Sequence, residues 1–227
     1  MAAPVKKTVE LFYDVVSPYS WIAFEVLTRY QNKWNIDLKL KPFFLGGIMQ
    51  GSGNKPPAMV PNKGAYMLHD IERLKQYYNV PMNQPSDFAE VAFKKGSINA
   101  QRFLTAVSMS NPDMVEPVTR ELWMRVWNKD EDIYLPESFI QAGVKAGLSM
   151  ENAKAAVAKI KDSEVKDKVK ERTQEALDKG AFGSPIIIAH VDGKEHLIFG
   201  SDRFPILAMI LGEKWEGPLV EFSKCKL

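Results

Sequence analysis

Four short stretches of this chain carry residue types that could do chemistry together. Ser17-Pro18-Tyr19-Ser20 follows an apolar run and opens a helical pattern in which Ala23, Val26, Leu27 and Tyr30 fall at spacing 0, 3, 4, 7. A helix start gathers amide hydrogens that have no partner in the helix, together with the positive end of its dipole, so it favours an anion. A serine hydroxyl does not ionise near neutrality, so Ser17 would donate a hydrogen bond to an anion brought by another molecule. Taken alone, Ser17 is better explained as an N-cap, with Pro18 in the first helical position, where proline lacks only an amide hydrogen the helix leaves unused. Gly183-Ser184-Pro185 precedes an apolar strand pattern. A cis bond there would let the backbone of Ser184 pair with an extended peptide as a sheet edge does, whereas a trans bond would simply start a strand. Ser201 and Asp202 either cap the last helix or hold an α-amino acid end, the hydroxyl and helix amides taking its carboxylate and Asp202 its ammonium. Asn54 and Lys63 flank a stretch rich in glycine and proline. They could reach a carboxylate or a carbonyl, or stand as ordinary surface polar residues.

The elements that must position these residues are legible along the chain. Thr8 to Val16 is apolar on both faces, with Val9, Leu11, Tyr13 and Val15 on one and Phe12 and Val16 on the other, as in a strand inside a sheet. The helix after Ser17 and a half-exposed strand over Asp37 to Phe43 complete a strand-helix-strand unit, which implies a parallel pair with a right-handed crossover. Gly46 to Asn62 reads as an ordered loop or lid, followed by a helix marked by Met67, Ile71, Leu74 and Tyr78. Ser86 to Lys179 shows no strand pattern. Its helical segments are introduced by Ser97, Asp113, Pro136, Ser149 and Ser163, and Gly180 closes the last as a C′ residue. Trp123 and Trp127 belong in the packing of this bundle. Ile186 to Val191 and His196 to Phe199, joined through Asp192-Gly193, read as a hairpin. Gly200-Ser201-Asp202-Arg203 then caps a final helix, Phe204 to Leu211, which Gly212 ends.

This order is that of an α/β, thioredoxin-like domain interrupted by an all-helical insertion. Residues 1–80 and 180–227 form the first, discontinuous domain and residues 81–179 the second. In such a domain the reactive group sits where the first strand meets the first helix. Disulfide oxidoreductases carry Cys-x-x-Cys there. Serine at both 17 and 20 rules out that chemistry and leaves a hydroxyl able to stabilise a thiolate supplied from outside. A free thiol has a pKa near about 8.5, and a few well-aimed donors lower it by about one unit or more, each unit being about 1.4 kcal/mol.

Composition narrows the classes further. The 227 residues are 45% hydrophobic and 26% charged, an ordinary balance, and 30 Lys and Arg against 28 Asp and Glu leave +2. That charge does not indicate a nucleic-acid footprint. One cysteine, Cys225, excludes an intrachain disulfide and a cysteine zinc cluster, and three histidines without ligand spacing argue against a metal. No apolar run approaches the roughly 20 residues of a membrane span, and the N-terminal stretch lacks the apolar segment of a secretory signal.

Several blocks, in order, resemble one known family. Glu10-Leu11-Phe12-Tyr13-Asp14 before Ser17-Pro18-Tyr19-Ser20-Trp21, Gly53-Asn54-Lys55-Pro56-Pro57, Arg102-Phe103-Leu104-Thr105-Ala106-Val107, Glu121-Leu122-Trp123-Met124-Arg125-Val126-Trp127, Gly180-Ala181-Phe182-Gly183 and Phe199-Gly200-Ser201-Asp202-Arg203 are similar to the kappa class of glutathione S-transferases over about residues 8 to 218. The resemblance implies a homodimer that binds glutathione as co-substrate, with no permanently bound cofactor, together with a small hydrophobic electrophile. It implies Ser17 as the hydroxyl that stabilises the thiolate, Pro18 and Tyr19 in the same binding segment, and Asn54 and Lys63 on the tripeptide. Ser184 would pair through its backbone with the cysteinyl unit, and Ser201 and Asp202 would hold the γ-glutamyl end. Ser184 departs from the family, whose members carry a larger apolar residue there, which places the local packing and the electrophile pocket in question. The implied chemistry is attack of the bound thiolate on an electrophilic carbon or a peroxide. Two other readings share the architecture: a glutathione-dependent isomerase of the hydroxychromene-carboxylate type, which uses the thiolate reversibly, and a thioredoxin-like binding module without turnover. The electrophile pocket is expected between the Gly46–Asn62 stretch and the helical insertion. Cys225-Lys226-Leu227 either resembles a C-terminal peroxisomal address or ends this way by chance; with the family's association with mitochondria and peroxisomes it points to one or both of those compartments, with the cytoplasm left open.

Overall fold

A computed structural model of the protein describes residues 5–219. The tripeptide at 225–227 lies outside them. The first strand, β1 (Lys7–Tyr13), leads into helix α1 (Pro18–Tyr30) and strand β2 (Ile36–Pro42). After helices α2 (Leu45–Ser52) and α3 (Pro61–Tyr78) come α4 (Ile98–Ser110), α5 (Val115–Trp127), α6 (Pro136–Ala146), α7 (Met150–Ala158) and α8 (Ser163–Asp178). Strands β3 (Ile186–Val191) and β4 (Lys194–Phe199) and helix α9 (Phe204–Leu211) are the last elements among the described residues. Between 86 and 179 the described residues contain no strand. The four strands lie in the order β2-β1-β3-β4, with β1 and β2 parallel and the other two pairings antiparallel. This is a thioredoxin fold with a helical insertion between α3 and β3.

The register places the functional ends together. Tyr13 pairs with Pro42, Phe12 with Ile186, and Ile186 with Phe199, so the starts of α1 and α2, the segment before β3 and the segment after β4 share one end of the sheet. Central strand β1 is buried on both faces, as its sequence required. Val9, Leu11 and Tyr13 enter a large core with α1 and the inserted helices, and Phe12 enters a smaller one with Phe43, Ile48 and Ala176. Trp123 reaches out of the bundle to bind it to the sheet: its ring lies 5.4 Å from Tyr13, 4.9 Å from Phe24 and 6.2 Å, parallel, from Trp21.

The hairpin turns as expected at Asp192 and Gly193, both at positive φ (51° and 74°), the pairing that matches the twist of the strands. Three expectations differ from the structure. Strand β1 stops at Tyr13 instead of Val16, because Asp14 folds the chain back, its Oδ1 accepting from Val16 N–H at 3.1 Å and its carbonyl from Ser17 N–H at 3.0 Å. The Gly46–Asn62 stretch is not wholly loop, since α2 occupies most of its first half. The glycines of α2 serve close packing: a Cβ on Gly47 would lie 2.9 Å from Thr173 Cγ2, and one on Gly51 2.6 Å from Leu177 Cδ1. Among the expected caps of the insertion, Ser149 accepts from Asn152 N–H at 3.0 Å. Ser97 instead donates to Asp14 Oδ2, Asp113 lies in a short 3-10 turn, and Ser163 is the first residue of α8, with Asp162 making no side-chain cap bond.

Candidate functional site

Ser17 is the N-cap of α1, its backbone extended and its Oγ accepting from Ser20 N–H at 3.2 Å, with Pro18 at the first helical position. The capping reading is therefore correct. The hydroxyl keeps its proton for another partner, and Ser17 Oγ lies 3.4 Å from the carbonyl oxygen of Ser184, a long contact that an incoming anion could replace. The Ser184–Pro185 bond is cis. Ser184 Oγ lies 2.7 Å from Ser20 Oγ, so the loop before β3 is held against the first turn of α1 by hydroxyls on both sides.

The other sequence candidates surround this corner. Gly200 N–H donates to Pro185 O at 3.1 Å, which brings the segment carrying Ser201 and Asp202 alongside the cis-proline loop. Ser201 is buried and Asp202 exposed. Neither caps α9, whose N-cap is Arg203 without a side-chain bond, so the local explanation for the pair is not what the structure shows. Asp202 pairs instead with the neighbouring Arg203 guanidinium. Asn54 donates to Phe182 O at 2.6 Å and is thereby tied two residues upstream of Ser184. Lys63 lies on α3 and lines, with Tyr19, Pro57, Asn62, Tyr66 and Met67, a cavity of about 340 Å³ beside the start of α1. Tyr19 comes from α1, Pro57 precedes α3 and the other four residues lie on α3, so the helical insertion does not line this cavity. Among the described residues no side-chain hydrogen bond joins Asn54, Lys63, Ser201 or Asp202 directly to Ser17; the fold brings them together through shared backbone segments.

Two acids that the sequence did not single out, Asp70 and Asp14, complete the corner. Tyr19 Oη donates to Asp70 Oδ2 at 3.0 Å, linking α1 to α3. Burial, then the Asp70 bond and charge, and then Tyr66 and Asp202, hold the Tyr19 phenol well above the ordinary tyrosine range. Asp14 is fully buried and accepts from Val16 N–H, Leu45 N–H, Ser97 Oγ and Gln101 Nε2, so one carboxylate joins the β1–α1 corner to the starts of α2 and α4. Burial pushes its carboxyl above the usual range against the pull of those four donors. An acid at the end of an apolar strand run was the signal available in the sequence. Among the described residues no group of three His, Cys, Asp or Glu side chains could hold a metal ion, and no helix is long and apolar enough to cross a membrane.

Comparison with known proteins agrees with this geometry. Residues 8–212 match the family model of the DSBA-like thioredoxin domain. A human protein named glutathione S-transferase kappa 1 is 53% identical over 216 residues, covering 95% of this chain and 96% of the relative. The chain belongs to the kappa glutathione S-transferases. A more distant relative of this kappa-class chain, the 2-hydroxychromene-2-carboxylate isomerase of Sphingobium xenophagum, is 23% identical over 214 residues, 90% of this chain and 98% of the relative. A solved structure of a 2-hydroxychromene-2-carboxylate isomerase superposes with a TM-score of 0.73 at 16% identity, covering 90% of this chain and 94% of the other, and shares the fold.

Proposed function

We propose that this kappa-class chain is a transferase that binds glutathione at the β1–α1 corner as the thiolate and directs it at a small hydrophobic electrophile. The observation that carries the reading is the Ser17 hydroxyl at the start of α1, its proton aimed only weakly at Ser184 O. An incoming sulfur anion would gain that proton's hydrogen bond and the helix-start amides. Ser17 stabilises the anion and forms no covalent intermediate. The thiol proton leaves to solvent, the sulfur forms a bond to the electrophilic carbon, and the leaving group departs with the bonding pair. With a peroxide, attack on oxygen breaks the O–O bond and yields the sulfenic acid of glutathione, which a second glutathione converts to the disulfide and water.

The backbone of Ser184 pairs with the cysteinyl unit, Ser201 and Asp202 take the γ-glutamyl carboxylate and ammonium, and Lys63 takes the glycyl end, with Asn54 holding the loop beneath it. Tyr19, Tyr66 and Met67 give the adjoining cavity apolar walls suited to the electrophile. We extend the proposal to a homodimer as the working assembly, and to import into the peroxisome through Cys225-Lys226-Leu227 or residence in the mitochondrion.

The test is calorimetric titration of glutathione into wild type, Ser17→Ala and Asp202→Ala, followed by turnover of an aromatic halide. Asp202→Ala should weaken binding roughly ten- to a hundredfold, the worth of one hydrogen bond to a charged group. Ser17→Ala should bind normally and turn over slowly. Binding without turnover in wild type would favour reversible thiolate addition of the isomerase kind. Failure of wild type to bind glutathione would leave a binding module and overturn both enzymatic readings.

A further inference from the structure

Beside Ser17 stands a pair of hydroxyls that this reading does not yet use. Ser20 lies in the first turn of α1 and is wholly buried; Ser184 is half-buried at the rim of the cis-proline loop. Their oxygens are 2.7 Å apart, and either geometry of donation is open on distance alone. Proton counting decides between them. Each hydroxyl has one proton to give. If Ser184 donated to Ser20, the Ser20 proton would need a second acceptor inside the protein, and among the described residues Ser184 Oγ is the only side-chain or carbonyl oxygen that the Ser20 hydroxyl meets. If Ser20 donates to Ser184, the buried proton is used and the Ser184 proton is left to the half-exposed side of the loop, where solvent or a ligand can take it.

The same residue already faces the reacting position through its backbone, since Ser184 O is the partner of Ser17 Oγ and Ser17 Oγ in turn accepts from Ser20 N–H. Three serines thus close a ring of contacts around the start of α1. We infer that the Ser184 side chain is a second hydroxyl donor to the bound sulfur anion, with Ser20 a positioning residue that donates to it from behind. The inference rests on the transferase reading, and deepens it. A chain of hydroxyls all oriented toward a charge is self-reinforcing, because donation from Ser20 polarises the Ser184 O–H that faces the anion. An apolar side chain at position 184 would offer the backbone contact alone.

The experiment follows the ultraviolet absorbance of bound glutathione thiolate against pH in wild type, Ser184→Ala, Ser184→Thr, Ser20→Ala and Ser17→Ala, each saturated with glutathione as judged by calorimetry. Ser184→Ala should still bind glutathione, because the backbone contact survives. Its thiol should titrate at higher pH, with a roughly three- to tenfold smaller thiolate fraction near neutrality. Ser184→Thr, which keeps the hydroxyl, should restore the wild-type curve, an outcome that a mere packing role would not give. Ser20→Ala should move the curve the same way by roughly twofold, and it decides the matter if Ser184→Ala proves unable to fold. A Ser184→Ala curve that coincides with wild type while Ser17→Ala shifts would overturn the inference and leave the transferase reading intact. Absence of glutathione binding in wild type would instead remove the reading and the inference with it.

Discussion

Asp14 is fully buried, and replacing it with alanine should cost more stability than any other single polar change near the site. Its two oxygens accept from Val16 N–H at 3.1 Å, Leu45 N–H at 2.9 Å, Ser97 Oγ at 2.7 Å and Gln101 Nε2 at 2.8 Å. Alanine removes every one of these acceptors. The two amides belong to fixed backbone and cannot turn away, and an unpaired buried donor costs about 1–3 kcal/mol. Part of that loss is offset, because the variant no longer buries a carboxyl. The net expectation is about 3–5 kcal/mol, the usual scale for removing one partner from a buried polar cluster. For a chain of this size each kcal/mol moves the melting temperature by about 2–4 °C. Urea unfolding followed by tryptophan fluorescence would measure it, through the midpoint at constant slope. A loss below about 1 kcal/mol would refute the assignment of Asp14 as the acceptor that joins α1, α2 and α4. The pH dependence supplies an independent check. Burial raises the folded-state pKa above the unfolded value near about 3.9, so the folded protein binds this proton more tightly than the unfolded chain does. Stability from wild-type Asp14, relative to Asp14→Asn, should therefore rise as pH falls through the folded pKa toward the unfolded one. The opposite trend would mean that the four donors outweigh burial.

Glu10 should behave with the reverse sign. Burial acts to raise its pKa, but hydrogen bonds from Lys41 and His190 more than compensate and hold it below the ordinary value. Its stabilisation, measured as wild type against Glu10→Gln, should be full above the unfolded pKa near about 4.3 and vanish as pH falls through the folded pKa. Trp123→Ala should cost about 3–5 kcal/mol in denaturant unfolding, since the indole is fully buried against Tyr13, Trp21 and Phe24 and the cavity lies at the seam of sheet and bundle. A loss under about 1.5 kcal/mol would show that the seam closes around the gap. Asp70→Ala removes the side-chain bond from Tyr19 to α3, a helix with only Met67, Ile71 and Tyr78 buried along its length. Amide exchange in the first half of α3 should quicken several-fold while α4 and α5 stay protected; equal protection in all three would show that apolar packing alone seats the helix.

What the sequence determined by itself was whatever depends on near neighbours. Ser17-Pro18 announced the start of α1, because a cap and a proline act within one turn. Asp192-Gly193 announced the hairpin, because both residues tolerate positive φ, and the two-faced apolar run of β1 announced a central strand. The site candidates were legible for the same reason: they sit at starts and ends of elements, where punctuation is local. Tertiary structure alone decided the rest. Gly47 and Gly51 resemble loop residues until Thr173 and Leu177, more than a hundred positions away, show why no side chain fits. Ser97 has the pattern of a cap, yet its hydroxyl goes to Asp14. Asp14 draws its donors from positions 16, 45, 97 and 101, and the Ser20–Ser184 pair spans 164 residues. Such groups are partners only once the sheet has set its register, since a buried polar atom takes whichever donor the fold delivers to it.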